Sequence, residues 1–174
     1  ALSDSCFISS KDLSDSFFTN VALRCLSHER RKLWQIFQSG HLCFFSLVEK
    51  KGGAIHYDDI FKPVAEALYF LGQFYTELGY AEELLSLQFN LAGTERVRLS
   101  LEGLPNGRRR PTSDVYVCQI PEISTHMQRT VPDIASGHAR HAEKVIRNIC
   151  ERFNMPDGLH NNLEKTIRKF LEKR

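Results

Sequence analysis

At 174 residues, 42% of them hydrophobic and 25% charged, the chain has the length and balance of one globular domain, or two small ones, able to bury a core. No apolar run approaches the ~20 residues of a membrane span and no signal-peptide pattern precedes the fold, so the expectation is a cytoplasmic protein without membrane contact. A formal net charge of +2 gives no whole-molecule attraction to nucleic acid, so any such attraction has to be local.

Residues 1–16, ALSDSCFISSKDLSDS, are rich in Ser and Asp and read as a flexible arm or linker, leaving residues 17–174 as a single α+β domain. Ala1 stands where a starting Met would, as in a chain cut from a longer one or processed. From Asn20 the pattern becomes strand-like, with aromatic and β-branched runs broken by short polar gaps. Three strands over about 20–26, 32–38 and 41–49 form an antiparallel meander, with a turn at Ser39-Gly40. One long helix over 11–38 competes, because Phe17, Val21, Arg24 and His28 also share a helical face. Lys50-Lys51-Gly52-Gly53 ends the meander.

The stretch 56–79 organises the rest. Tyr57, Phe61, Val64, Leu68, Leu71, Tyr75 and Leu78 recur at alternating steps of four and three, which places them on one face of a helix. Phe70 and Phe74 widen that face to a core-facing stripe. Asp58 or Asp59 caps the start, Pro63 belongs near the first turn, and Gly79 is a left-handed stop. After it, Leu85, Leu87, Phe89 and Leu91 alternate with Ser86, Gln88 and Asn90. Beyond a turn at 92–94, Val97, Leu99 and Leu101 alternate with Arg96, Arg98, Ser100 and Glu102, so the two runs read as a hairpin with one solvated face. A loop at 103–113 and a strand at 114–120 follow. Residues 122–136 read as irregular. Two helical stripes close the chain: Ala142, Val145, Ile146, Ile149, Cys150 and Phe153, then Leu159, Leu163, Ile167, Phe170 and Leu171. The class is α+β: antiparallel strands in two groups around one long core helix, with a C-terminal helix pair.

Chemistry-bearing residues are few. Cys6, Cys25, Cys43, Cys118 and Cys150 are odd in number and at least 18 positions apart, which suits reduced, mostly buried thiols and neither a disulfide framework nor a zinc site. His138 and His141 stand three apart with no third ligand in step, so they read as two exposed histidines without a metal. Arg24 and His28, with Glu29 and Arg31, form an Arg/His group of the kind that serves acid–base and phosphate chemistry, at no specific spacing. There is no P-loop, no Gly-x-Gly-x-x-Gly and no nucleophile-elbow pattern, and no cofactor is expected. Between Arg96 and Arg110 lie five Arg and one Glu, and from Arg140 to the end nine basic and five acidic residues. Arg96 and Arg98 share the solvated strand face, and Arg108, Arg109 and Arg110 sit in the loop after Pro105. Their guanidinium forks suit phosphate, so these five are the candidate ligand- or nucleic-acid-binding residues.

The order LWQIFQSGHLCFFSLVE, IFKPVAEALYFLGQFYTELGY, LLSLQFNLAG…RVRLSLEGL and ICERFNMPDG, with its Phe-x-Ser-Gly turn, resembles the C-terminal region of bacterial Schlafen/Alba-like DNA-binding proteins over residues 31–158. The resemblance implies that the family's nucleic-acid or nucleotide site lies in the half that precedes this region, so no functional residue carries over. The expectation is a non-catalytic accessory, sensor or interaction domain of a larger bacterial protein. Its partners would be the rest of that chain or another protein, and nucleic acid or a phosphate-bearing ligand through the basic loop. The alternative is a small hydrolase or nuclease using His and Arg side chains.

Overall fold

The computed structural model describes residues 16–18, 22–27, 32–37, 40–80, 82–101, 116–156 and 162–173. The chain divides into two compact units, Ala1–Val48 and Glu49–Arg174. Of the expected arm, only Ser16 lies among the described residues.

The first unit carries a four-stranded antiparallel meander, β1 (Ser16–Phe18), β2 (Ala22–Ser27), β3 (Lys32–Phe37) and β4 (Leu42–Ser46), in that spatial order. The register sets Cys25 opposite Trp34, and Trp34 opposite Phe44. Gly40, at φ 83°, makes the turn into β4, where its N–H donates to the Phe37 carbonyl at 3.0 Å. Strands therefore win over the helix that competed for residues 11–38. The Val/Leu/Trp/Phe content favours a pleated surface over the helical face that four spaced residues suggested.

The second unit is built on α1 (Tyr57–Glu77). Its expected stripe is buried except for Leu78, which is 51% exposed just past the helix end. Phe70 and Phe74, expected to widen it, are buried too, and burial extends further round the helix to Ile60, Ala65, Glu66, Ala67 and Gly72. The helix stops as expected: Gly79 takes φ 80°, and the Tyr80 N–H reaches the Tyr75 carbonyl at 3.0 Å. Its start differs. The N-cap position is His56, with no side-chain cap, and Asp58 and Asp59 lie inside the first turn, where Asp58 pairs with Lys62 at 2.7 Å. Their charges still favour the positive end of the helix dipole. Pro63 falls in the second turn, one turn deeper than its chemistry suggests.

Against α1 packs α2 (Val131–Glu151), antiparallel to it: Gly72 lies beside Ala135, and Tyr69 meets His138 edge-on at 5.3 Å between rings. Gly72 is required there, because a Cβ on it would stand 2.8 Å from the Ala135 Cα. The helix α3 (Leu163–Glu172) buries Leu163 and Ile167 and joins α1 through Phe61 and Phe170, 5.4 Å apart. These three are the helices among the described residues, and with the strand groups they make the fold α+β.

Three expectations for strands are corrected. The strand β6 (Leu84–Ala92) alternates as read, with Leu87 buried and Ser86, Gln88 and Asn90 exposed, but it does not form a hairpin with the run after it. It pairs antiparallel with β8 (Glu122–Thr130), within the segment expected to be irregular. The run after it, β7 (Arg98–Ser100), pairs in parallel with β5 (Ala54–His56). The reason lies between them. Gly93 at φ 71° and Arg96 at φ 56° both turn left-handed, and buried Thr94 is held by the Ile120 and Pro121 carbonyls, so the chain leaves the hairpin path. The expected strand at 114–120 contributes, among described residues, a single bridge from Val117 to Arg98.

Candidate functional site

The parallel pair β5–β7 brings together the two basic segments that flank it. Ahead of β5, Lys51 and Ala54 close a two-residue turn with reciprocal hydrogen bonds of 2.9 and 3.0 Å. Gly52 (φ 57°) and Gly53 (φ 76°) fill it, since a turn with both central residues left-handed favours glycine. Arg98 then grips this turn: its N–H donates to the Gly53 carbonyl at 3.2 Å and its Nη2 to the Gly52 carbonyl at 2.7 Å. Two residues earlier, Arg96 is held by its own N–H, which donates to the Cys118 carbonyl at 2.8 Å. On the other side the Lys50 ammonium lies over Gly93, 3.6 Å from where a Cβ would be.

Lys50, Lys51, Arg96 and Arg98 are all exposed, and the contacts of Arg98 with Gly52 and of Lys50 with Gly93 bring their two segments together, with Glu49 and Glu95 adjacent in the chain. Four cations against these two anions leave a local excess of positive charge. Of the five arginines singled out from the sequence, Arg96 and Arg98 come together here. Arg98 spends its guanidinium partly on the turn, and Arg96 lies in a turn of its own, not on a strand face. Arg108, Arg109 and Arg110 lie outside the described residues. The sequence reading missed Lys50 and Lys51. Their signal was the Gly52-Gly53 doublet, which reads as a hinge until its partner strand is known.

The histidine pair is corrected. His138 is half-buried against Tyr69, and its Nδ1 lies 3.1 Å from the Ala135 carbonyl. His141 is only 1% exposed. Its Nε2 lies 3.2 Å from Asp133 Oδ2, within ion-pair distance but out of line for a hydrogen bond, and its Nδ1 has no partner among the described residues. Arg140 donates to Asp133 Oδ1 at 2.9 Å, and Arg129 approaches Oδ2 at 3.4 Å. Gly137 makes this possible, since a Cβ there would come within 3.1 Å of His141 Nε2 and 3.2 Å of Arg140 Nη2. Desolvation pushes the Asp133 carboxyl up, but His141, Arg140 and Arg129 outweigh it and hold the group below the usual carboxylate range. The cluster fastens the start of α2, where Thr130 caps the helix by accepting from the Asp133 N–H at 3.4 Å. A ring sealed this far from solvent cannot reach a substrate.

Burial pushes the Cys150 thiol up to about 12, with Glu151 adding to it, so at neutral pH it is an inert thiol. Burial likewise raises Tyr57 well above its ordinary value. Cys43, Cys118 and Cys150 are free thiols, and among the described residues no three His, Cys, Asp or Glu side chains gather as a metal ion requires. No helix of the described residues is long and apolar enough to cross a membrane. Of the Arg/His group, His28, Glu29 and Arg31 lie outside the described residues, and Arg24 is placed only by its backbone in β2. In comparisons with protein-family models, with curated proteins and with solved structures, nothing matches this chain.

Proposed function

We propose that this chain is a non-catalytic interaction domain of a larger bacterial protein of the Schlafen/Alba-like kind, and that it touches the phosphate backbone of nucleic acid through its basic corner. The observation that carries this reading is the parallel pairing of β5 with β7, which sets the Lys50-Lys51 turn beside Arg96 and Arg98. Contacts of this type are electrostatic and independent of sequence, and they weaken steeply as salt displaces them. With three or four cations engaged, the slope of log affinity against log salt on duplex DNA is about −3.

The test is fluorescence anisotropy of a labelled generic duplex and a single strand, titrated with the protein from about 50 to about 200 mM salt. Wild type is expected to bind weakly at the low end and to lose that binding across the range. The variant Lys50→Ser/Lys51→Ser/Arg96→Ser is expected to keep its melting temperature and to bind more weakly with a shallower slope. Arg98 is left in place there because it holds the Gly52-Gly53 turn. A second variant with Ser at Arg108, Arg109 and Arg110 measures the share of the loop. Salt-independent binding, no binding at any salt, or an unaltered corner variant overturns the reading.

A further inference from the structure

The two-stranded ribbon β6–β8 is paired through nine residues on one side of each strand and, among the described residues, through none on the other. Among the described residues, no backbone group of β6 bonds outside the ladder with β8. An open edge of that length is a template for another strand, and proteins usually blunt one with a charge, a proline or a bulge. The sequence of β6, LLSLQFNLA, has no charge and no proline, and all nine of its residues pair in unbroken register.

The same nine residues have a further property: their polarity is the same read in either direction from Gln88. An antiparallel pairing of β6 with a second β6 about Gln88 sets Leu85 opposite Leu91 and Leu87 opposite Phe89. On the other face it sets Ser86 opposite Asn90, and Gln88 opposite itself. Directly opposed residues in an antiparallel pair point to the same side of the sheet, so every apolar side chain meets an apolar one and every polar side chain a polar one. Leu85, Phe89 and Leu91 are only half-buried within one copy, while Ser86, Gln88 and Asn90 are exposed. The dyad of such a pairing is perpendicular to the sheet, which keeps the helix-covered side of both copies on the same side.

We infer that β6 is a homodimer edge: two copies of this chain join antiparallel through Leu84–Ala92, making a four-stranded sheet in the order β8, β6, β6 of the second copy, β8 of the second copy. The edge of β8 is unsuited to the same use. It carries two charges, Glu122 and Arg129, and because they lie on opposite faces no self-pairing of β8 can neutralise one with the other. A single strand–strand seam is smaller than the usual stable interface, so the dimer forms only at high protein concentration, on the order of 10–100 μM.

Sedimentation velocity of the 174-residue chain across that range is expected to show a monomer–dimer equilibrium. Placing Lys at Ser86, Gln88 and Asn90 together opposes like charges at three places along the seam and should weaken association by about tenfold or more. The matching triple Glu variant should do the same, and an equimolar mixture of the two should dimerise at least as well as wild type. All three positions are exposed, and a thermal melt of each variant establishes that it is folded. In wild-type protein, hydrogen exchange of β6 amides should slow as concentration rises, which needs no variant. A chain that stays monomeric throughout, a dimer indifferent to both sets of charges, or β6 amides whose exchange ignores concentration each overturn the inference.

Discussion

Replacing Gly72 by Ala sets two effects of opposite sign against each other. At an open position inside a helix the change stabilises by about 1 kcal/mol, because glycine gives up more backbone freedom on folding than alanine does. At Gly72 the new methyl would stand 2.8 Å from the Ala135 Cα and 3.1 Å from its N. Both are backbone atoms of α2, so no side chain can swing aside and the helices have to separate. Overpacking of this kind costs about 1–3 kcal/mol, and a contact this short against backbone belongs at the upper end. The net expectation for Gly72→Ala is a loss of about 1–2 kcal/mol. Urea unfolding followed by circular dichroism measures it, provided the slope with denaturant matches wild type. A more stable variant would show that α1 and α2 do not approach at Gly72 and Ala135, and the antiparallel packing drawn from that contact would go with it.

Two further expectations follow from burial and charge. Leu68→Ala and Leu71→Ala should each lose about 2–5 kcal/mol in the same urea assay, because both side chains are buried in α1 and leave cavities; losses below about 0.5 kcal/mol for both would contradict the core assignment of that helix. Asp133 has a lowered folded pKa, so the stability it supplies is present above the unfolded value of about 4 and is lost as pH falls through the lower folded value. The melting temperature of Asp133→Asn should therefore fall less than that of wild type on acidification through this range, and identical acid profiles would refute the role given to His141, Arg140 and Arg129.

What could be read from the sequence was whatever depends on local periodicity. The stripe from Tyr57 to Tyr75 repeats at 3.6 residues for five turns, and only a helix satisfies it. The meander of the first unit is local too, because each strand pairs with its neighbour in the chain, and three of its four strands were read, while the three-residue β1 at the end of the expected arm was not. Alternation along β6 and β7 gave the right faces but not the right partners, since a period of two says which side a residue faces and nothing about which strand lies alongside. The strand β8 escaped notice for a different reason. Its inward positions are Ile123, Thr125, Met127 and Arg129, so two of the four carry polar groups and the alternation is faint. The basic corner was half legible: Arg96 and Arg98 stand out by type, but Lys50 and Lys51 join them only through pairing across the whole of α1.

That long-range pairing also bears on the order in which the second unit assembles. Each of β5 and β7 is three residues long, too short to persist alone, and the chain from residue 57 to residue 97 has to be gathered before they can meet. Closing so long a loop for so few contacts is entropically late, whereas α1 and its packing on α2 can mature first. The same arithmetic run backwards makes the pair an early point of local opening, well below the free energy of global unfolding. Gly52 and Gly53, exposed in their turn, then become the natural place for a protease to nick the native protein, and the rate of that nick reports the opening of β5 from β7. If a polyanion seats across Lys50, Lys51 and Arg96 as proposed, it requires the closed pair and should protect the turn from cleavage without touching the helical core.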